Sequence, residues 1–343
     1  MFDVIAIGTA TRDVFLTSPL FKVLRDPKHL EKIGFKTGEA QCFALGAKVE
    51  VQKIAFATGG GAANAAVTFA RQGFQAAVIA RLGDDELGKT VVAGLKKEKV
   101  KPLVHFDKSL GTAYSTILIS SDGERTILVY RGASEVFQKK EIPFRKLKAK
   151  WAYIVPGQIA LSLMSEIVNH LKKNGAKIAL NPSRHYLELG VERLKPIFNR
   201  LDAVIMNREE ASYLTGVSYN NERGIFKKLD DVVPGIAVMT DGSRGAKVSD
   251  GKYLYSAGIF SAKGGSASGG KEKIVDRTGA GDAFGSGFVA GLMAKNDINF
   301  ALRLAAANAT SVVEHIGAQE GILTKSDFSK PRFKYLDLDV EPL

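Results

Sequence analysis

The sequence is poor in cysteine and contains no long apolar run. Cys42 is the one cysteine, so no disulfide can form within the chain, and we expect a reducing, cytoplasmic setting. No apolar stretch approaches the roughly 20 residues of a membrane-spanning helix. The N-terminus, MFDVIAIGTA, lacks the basic start and the cleavage site of a signal peptide. We therefore expect neither a membrane partner nor a disulfide framework.

What the chain does have is enough apolar sequence for a sizeable core. Its 343 residues are 45% hydrophobic, which suits one large α/β domain with an appendage, or two domains. The formal net charge is +12, which fits either a nucleic-acid binder or a basic surface that attracts anionic metabolites such as nucleotides. The densest basic stretch, residues 145–150, has no interleaved aromatic residue. We interpret it as a solvated surface and expect no nucleic-acid partner.

Short apolar stretches alternate with helical ones along most of the chain. The short stretches are rich in branched residues, as strands covered on both faces are. Alternating strands and helices predict a mainly parallel sheet with helices on both sides. The predicted strands are Val4–Gly8, Ala76–Ala80, Trp151–Val155, Lys177–Leu180, Ala203–Met206 and Ile236–Thr240. The predicted helices are Ala62–Gln72, Leu161–Asn174, Glu209–Leu214, Asp282–Lys295 and Phe300–His315.

Two segments break this alternation and predict a second, smaller sheet. Residues 46–54 alternate apolar and polar side chains, and Asp122-Gly123 separates two alternating runs, Ala113–Ser120 and Glu124–Tyr130, as in a β-hairpin. Alternation indicates one covered face and one face in water. We expect a small antiparallel sheet that closes over a site as a lid. The alternatives are an edge extension and a dimer contact, and a lid can also form such a contact.

The most informative segment is Asp276–Val289. Its small residues Gly279, Ala280 and Gly281 leave main-chain N–H groups free at the start of an apolar helix, which is a favourable place for an anion. Asp282 follows in the first helical turn. A carboxylate beside an anion site is suited to accept the proton of an attacking hydroxyl while the amides hold a phosphoryl group. The alternative is that Asp282 only caps the helix after a tight turn.

Three further motifs follow predicted strands or precede predicted helices. In Thr58–Asn64, the bare glycine backbone leaves room for a close approach, and the asparagine amide can both donate and accept; a loop without a ligand is the alternative. Asn207–Glu210 offers an amide for a phosphate oxygen and a carboxylate for a hard cation, and a helix capping box is the alternative interpretation. Thr240–Gly245 is a third polar, glycine-containing loop after a strand.

With these motifs in this order, the chain resembles the ribokinase-like (PfkB) carbohydrate and nucleoside kinases. Asp276–Val289 resembles the family's C-terminal signature, with Arg277 at a position where the family has small residues, Thr, Pro or Val. Thr58–Asn64 resembles the N-terminal glycine motif, and Arg81–Gly88 follows in the family's usual place. The resemblance covers nearly the whole chain.

That resemblance implies one ribokinase-like α/β domain over residues 1–343. Its architecture is expected to be a three-layer sandwich with a mainly parallel central sheet. Segments of roughly 14–55 and 103–131 would be inserted as a β-sheet lid. The implied function is ATP-dependent phosphorylation of a hydroxyl on a small sugar or sugar acid. A nucleoside kinase and a non-catalytic sugar- or nucleotide-binding member are the alternatives.

The resemblance also implies roles for individual residues. Asp282 is the expected base, and Gly279, Ala280 and Gly281 form the expected anion site with it. The expected acceptor contacts are Asp13, Gly59, Gly60 and Asn64, with Gln158 and Arg125 as further candidates. The expected ATP contacts are Asn207, Thr240, Gly242, Gly245 and Asn308. The expected metal contacts are Glu210 for Mg²⁺ through water, and Asp276 and Thr278 for a monovalent cation such as K⁺.

Three smaller inferences complete the prediction. A nucleoside acceptor would want a stacking aromatic, for which Phe15, Phe43 and Phe106 are candidates. A homodimer through the lid is a candidate assembly. Gly265–Lys271 is not a phosphate-binding Walker loop, because Glu272 stands where Ser or Thr would bind magnesium.

Overall fold

The computed structural model describes residues 1–35, 37–120, 125–261, 266–267 and 275–343. Its strands are β1 (Phe2–Gly8), β2 (Thr11–Thr17), β3 (Lys22–Arg25), β4 (Glu39–Cys42), β5 (Lys53–Gly59), β6 (Ala76–Ile79), β7 (Arg81–Gly83), β8 (Lys101–Pro102), β9 (His105–Asp107), β10 (Tyr114–Ile119), β11 (Arg125–Tyr130), β12 (Ala149–Val155), β13 (Lys177–Leu180), β14 (Ala203–Asn207), β15 (Ile236–Thr240), β16 (Ala246–Ser249), β17 (Tyr253–Ala257), β18 (Ile259–Phe260), β19 (Ser266–Ala267) and β20 (Leu338–Pro342). Its α-helices are α1 (Pro27–Leu30), α2 (Gly61–Arg71), α3 (Glu86–Lys97), α4 (Leu161–Lys173), α5 (Arg184–Leu187), α6 (Gly190–Phe198), α7 (Arg208–Thr215), α8 (Glu222–Asp230), α9 (Ala280–Lys295), α10 (Ile298–Val313) and α11 (Lys325–Phe328).

A ten-stranded sheet in the order β20-β17-β16-β15-β14-β13-β12-β1-β6-β8 forms the centre of the molecule. The strands from β15 to β8 in that order pair in parallel, and β16, β17 and β20 are antiparallel. Successive side chains of β1 enter two different cores: Val4 and Ala6 join one, and Ile5 joins the other. The predicted three-layer α/β sandwich is therefore confirmed.

The predicted boundaries of the main-sheet strands and of the helices differ from the observed ones by at most two residues. Lys177–Leu180 and Ile236–Thr240 are observed as predicted. Helix α10 begins two residues before the predicted Phe300, because the Asp297 side chain caps it by accepting a hydrogen bond from the Phe300 amide. Within the described ranges, no helix is long and apolar enough to cross a membrane.

The smaller sheet has the order β11-β10-β2-β5. Its central pair, β10 and β2, is parallel, and the two outer pairs are antiparallel. The strand predicted over residues 46–54 is wrong for most of its length, because β2 ends at Thr17, opposite Lys53, and its last oxygen accepts from the Gln52 amide, so residues before Gln52 have no place in the ladder. The predicted turn at Asp122-Gly123 lies outside the described residues.

The buried Arg81 and the half-buried Asp85 of the Arg81–Gly88 motif attach the ends of the β10–β11 hairpin to the main body. The Arg81 guanidinium donates to the main-chain oxygens of Ala133 and Val136, at 3.2 and 2.8 Å, just after β11. Asp85, which caps α3, accepts hydrogen bonds from the Thr112 amide and hydroxyl, each at 2.7 Å, just before β10. The motif therefore holds this hairpin in place.

Candidate active site

The motifs gather at the carboxyl edge of the parallel strands. Asn207 and Thr240 are register partners at the ends of β14 and β15. Gly8 and Val155 are register partners at the ends of β1 and β12. Open α/β sheets bind ligands along this edge, because the loops there take no part in the hydrogen bonds between strands.

A hydrogen bond joins the early glycine–asparagine motif to the late aspartate. Asn64 Nδ2 on α2 donates to Asp282 Oδ2 on α9 over 2.8 Å, although the two residues are 218 positions apart. Gly61 makes this approach possible, since a Cβ there would lie 2.7 Å from Val155 Cγ1 and 3.2 Å from Asp282 Oδ1. The two corners therefore share one cleft. Asn64 itself is 3% exposed and its amide bonds Asp282 and Gln319, so its role here is to connect the corners rather than to bond the acceptor hydroxyls predicted for it.

Burial sets the electrostatics of Asp282. Removal of the carboxyl group from water raises its pKa, the Asn64 hydrogen bond opposes that rise, and the negative charge of Asp13 adds to it. No ion pair holds the Asp282 carboxylate in the described part of the chain. A carboxylate with a raised pKa and no cationic partner is a better proton acceptor than an exposed one.

The loop before α9 presents main-chain amides next to this carboxylate. Gly279 caps the helix with φ = 79°, and a Cβ there would lie 2.4 Å from Ala318 Cβ. The Ala283 amide donates to Gly279 O at 2.8 Å. In the described ranges, the amides of Gly281 and Asp282 donate to no backbone oxygen. They are therefore available to an anion, and the exposed Gly281 leaves the approach open.

Asp13 lies in the same cleft, buried on β2. Its Oδ1 accepts a hydrogen bond from the Thr11 hydroxyl at 2.9 Å. Burial raises the pKa of Asp13, the Thr11 and Ser115 hydrogen bonds lower it, and the Asp276 charge raises it further. Gly59 gives the carboxyl group its room, since a Cβ there would lie 1.9 Å from Asp13 Oδ2.

Gly60 and Gln158 lie near the same loop after β1. Gly60 adopts φ = 92°, and a Cβ there would lie 2.6 Å from Thr9 O. A Cβ on Gly157 would lie 3.2 Å from Thr9 Cγ2, so the next residue, the half-buried Gln158, is also near this loop. Both residues therefore lie at the predicted acceptor corner.

Asp276 uses both carboxylate oxygens within the protein. Oδ1 accepts from the Thr278 amide at 2.9 Å, the Thr278 hydroxyl at 2.7 Å and Arg125 Nη1 at 3.3 Å. Oδ2 accepts from the Gly317 amide at 3.1 Å. Arg125 is the first residue of β11, so its guanidinium connects the smaller sheet to the loop before α9. The structure thus gives Arg125 a carboxylate partner that sequence reasoning did not anticipate.

The Asn207–Glu210 motif is a capping box at the start of α7. Asn207 Oδ1 accepts from the Glu210 amide at 2.8 Å, and Glu210 Oε2 accepts from the Asn207 amide at 2.9 Å. Burial raises the pKa of Glu210, the Asn207 amide lowers it, and Glu209 raises it. In the described ranges, no side chain donates to the other oxygen, Oε1. The capping role is observed, and it leaves that oxygen free for a water.

The Thr240–Gly245 loop contains an ion network that the sequence did not reveal. Asp241 accepts hydrogen bonds from Arg244, from Arg208 Nη1 at 2.9 Å, and from the Tyr219 hydroxyl at 3.0 Å. The Arg244 hydrogen bond is the largest of the causes that lower the pKa of Asp241 to about 2. Gly242 at the turn is exposed and has φ = 56°. The network therefore fixes this loop beside Asn207, with Gly242 exposed at its turn.

Gly245 and Asn308 are buried, in contrast to Gly242. A Cβ on Gly245 would lie 2.0 Å from Ala257 O, so Gly245 serves the turn. Asn308 has no exposed surface; its Nδ2 donates to Ala283 O at 2.9 Å, and its Oδ1 accepts from the Leu323 amide at 2.9 Å. We correct the ATP contact predicted for Asn308 to a packing role, because both ends of its amide are used inside the core.

None of the three candidate stacking aromatics stands free in the cleft. Phe15 is 2% exposed. Phe43 packs edge-on against Phe21, with 5.6 Å between ring centroids. Phe106 lines a separate surface pocket of about 580 Å³ with Val92, Lys96 and Pro102. These three positions therefore give no support to a stacked base.

The family profile described as pfkB family carbohydrate kinase matches residues 27–325. The chain belongs to this family. It is therefore a kinase. It is 29% identical to ribokinase of Haemophilus influenzae over 285 residues, which cover 80% of this chain and 87% of the relative. It is 31% identical to fructokinase-1 of Oryza sativa over 242 residues, which cover 66% of this chain and 71% of the relative.

The fold of this pfkB-family kinase matches solved ribokinase structures. Arabidopsis thaliana ribokinase complexed with ribose and ATP aligns with a TM-score of 0.73 at 19% identity, covering 95% of this chain and 97% of that one. At this identity the match speaks for the fold alone. The predicted ribokinase-like fold is thereby confirmed.

Proposed function

We propose that this kinase transfers the terminal phosphoryl group of ATP to a hydroxyl of a small neutral sugar. The observation that carries the proposal is the 2.8 Å hydrogen bond between Asn64 and Asp282, which joins the acceptor corner to the anion site. The relatives named ribokinase and fructokinase support a sugar as the acceptor.

In the proposed reaction, the acceptor oxygen attacks the γ-phosphorus of ATP. A new P–O bond forms to the sugar as the bond from the γ-phosphorus to the β–γ bridging oxygen breaks, and ADP leaves. The hydroxyl proton passes to the Asp282 carboxylate. The free amides of Gly281 and Asp282 stabilise negative charge on the transferring group.

The charges in the cleft favour a neutral acceptor over a sugar acid or a sugar phosphate. Burial is the largest cause that raises the pKa values of Asp13 and Asp282. The charge of Asp276 raises the pKa of Asp13 further, and the charge of Asp13 raises that of Asp282. Negative charges therefore face one another in the cleft. Arg125, predicted to meet an acidic group on the acceptor, is engaged by Asp276. An anionic acceptor would enter against like charge, whereas sugar hydroxyls can donate to Asp13.

Mg²⁺ fits the nucleotide side of the cleft. Among the described residues, no three His, Cys, Asp or Glu side chains form a metal-binding group. Mg²⁺ in kinase sites keeps several waters and binds mainly to substrate phosphates, so a single carboxylate suffices. Glu210, whose Oε1 remains free of the capping box, would hold one of those waters. When bound, the ion neutralises charge on the phosphates.

A monovalent cation on the Asp276 carboxylate does not fit. Both oxygens already accept hydrogen bonds, and the Arg125 guanidinium supplies positive charge at Oδ1. The K⁺ role predicted for Asp276 and Thr278 is therefore not part of the proposal.

The proposal is tested by ADP release from ATP and Mg²⁺ over a panel of acceptors. We expect turnover with neutral pentoses or hexoses, and little with the matching sugar acids and sugar phosphates, which differ mainly in charge. Turnover confined to nucleosides would instead identify a nucleoside kinase. No acceptor-dependent ADP release would favour the non-catalytic alternative.

We also propose a homodimer through the lid. Asp13 points into the cleft, so the alternate residues of the same sheet point outward. That outward face exposes Ile54, Phe56 and Leu128, at 59%, 57% and 56%. Phe56 and Leu128 stand at the two ends of one cross-strand row, with the buried Val14 and the half-buried Thr116 between them. Exposed apolar side chains on this face support a protein contact.

A further inference from the structure

Asp282 is the end of a three-residue chain of side-chain hydrogen bonds. Gln319, in the loop after α10, donates from Nε2 to Asn64 Oδ1 at 2.9 Å. Asn64 in turn donates from Nδ2 to Asp282 Oδ2 at 2.8 Å. Each amide in the chain therefore accepts or donates in a defined direction that ends at the carboxylate.

The direction of the Asn64 amide matters because its two ends are nearly the same size and opposite in polarity. With Nδ2 toward Asp282, the amide bonds the ionised carboxylate and favours the charged form. With Oδ1 toward Asp282, two acceptors would face each other and the charged form would be disfavoured. Helix α2 alone permits both orientations. The ionised carboxylate only accepts and so favours Nδ2, and a donor on Asn64 Oδ1 adds a second hydrogen bond that this orientation alone can make.

We propose that Gln319 is a positioning residue for phosphoryl transfer, which selects the orientation of the Asn64 amide that presents a donor to Asp282. The inference rests on the proposed role of Asp282 as base. A donor at Asn64 Oδ1 is compatible only with Nδ2 facing the carboxylate. Gln319 thereby favours the ionised form of Asp282 and fixes the orientation of its carboxylate before proton transfer.

The main chain of Gln319 is itself held in place from α2. Arg71 Nη1 donates to Gln319 O at 2.9 Å and to Ile322 O at 2.8 Å. Arg71 lies two helical turns after Asn64, so one helix anchors both ends of the contact. A bidentate pair with Glu98, at 2.8 and 2.9 Å, orients the Arg71 guanidinium. The loop therefore has a defined distance from Asn64.

The test compares Gln319→Glu and Gln319→Met with the parent enzyme. Gln319→Glu replaces the donor by an acceptor and should turn the Asn64 oxygen toward Asp282. We expect kcat to fall roughly tenfold or more, and the acidic limb of the kcat–pH profile to move to higher pH by about one unit. Gln319→Met removes the donor without adding charge, and should move the limb in the same direction by less. The ATP KM should stay within about twofold.

Other titratable groups near Asp282 also influence the acidic limb of the kcat–pH profile. Asp13 on β2 and Tyr153 on β12 are the titratable groups that interact with its carboxyl. Neither is altered in these variants. Glu320→Gln, which changes charge at the exposed neighbouring position, is the matched control and should leave kcat and the limb unchanged.

Several results would overturn the inference. One is an acidic limb of the kcat–pH profile in Gln319→Met that matches the parent enzyme. The others are limb shifts of equal size in Gln319→Met and Gln319→Glu, and a shift of the limb in Glu320→Gln. A thermal unfolding curve with and without ATP separates misfolding from mispositioning, and Gln319→Met remains decisive if Gln319→Glu does not fold. If Asp282→Asn keeps parental turnover, the proposed function fails first. If Asp282→Asn is inactive but both Gln319 variants are parental, only the Gln319 inference fails.

Discussion

Asp282 serves as the proposed base and also lowers the stability of the fold as a buried charge. One substitution separates these two effects. Asp282→Asn should lower kcat by roughly 10²–10⁴-fold, the usual contribution of a general base. It should also raise the free energy of unfolding at neutral pH by about 1 kcal/mol, since it removes a buried charge. Steady-state kinetics and thermal unfolding on the same preparation measure the two effects. ATP should still stabilise the variant, because the amides at the start of α9 remain.

The pH dependence of that stability gain has a definite sign. Burial raises the pKa of Asp282 in the folded state above its unfolded value. Its protonated form therefore contributes stability at low pH, and that contribution is lost as the pH rises through the folded-state pKa. The advantage of Asp282→Asn should be large above this pKa and vanish well below it. An advantage that is the same at every pH would contradict the assignment of a buried, titrating carboxyl.

At the scale of elements, the lid is connected to the catalytic loop by one ion pair. Arg125 on β11 reaches Asp276, and Asp276 holds the Thr278 and Gly317 amides. We predict that Arg125→Gln loosens lid closure, raises the acceptor KM by roughly tenfold, and increases ADP release in the absence of acceptor, because water then enters the cleft. Acceptor-dependent and acceptor-independent ADP release measure both effects.

Arg131 supplies the control for that prediction. It follows β11 directly, is exposed, and has no ion pair in the described part of the chain. Arg131→Gln removes the same charge from the same hairpin and should leave both rates unchanged. Equal behaviour of the two variants would mean that lid charge, and not the Asp276 contact, controls closure.

At the scale of the whole molecule, the outward face of the lid predicts self-association. We expect the parent protein to sediment as a dimer, and the double variant Phe56→Lys with Leu128→Lys to sediment as a monomer, because charge on that face cannot be buried without a partner. Tyr213→Lys, at a 59% exposed apolar position on α7, should leave the dimer intact. If the parent protein stays monomeric at high concentration, the proposed dimer is wrong.

The sequence by itself determined the parts of this protein that depend on local periodicity and on short motifs. The buried strands, the helices around them and the glycine turns before α2 and α9 follow from residues within a few positions of one another. Asp13, Asn64 and Asp282 were expected at one site through the family resemblance, and the structure brings their side chains into one cleft. The cytoplasmic location stays a prediction.

Only the tertiary structure decided which distant side chains meet. Arg125 and Asp276 are 151 positions apart, and Gln319 and Asn64 are 255 apart, so no local pattern marks either pair. An asparagine such as Asn308 can serve in a ligand contact at the surface or in the interior, and its residue type does not distinguish the two. The packing of α9 against α10 is what buries it. Hydrogen-bond partners depend on chain topology and on distances of a few ångströms, which periodicity along a single chain does not encode.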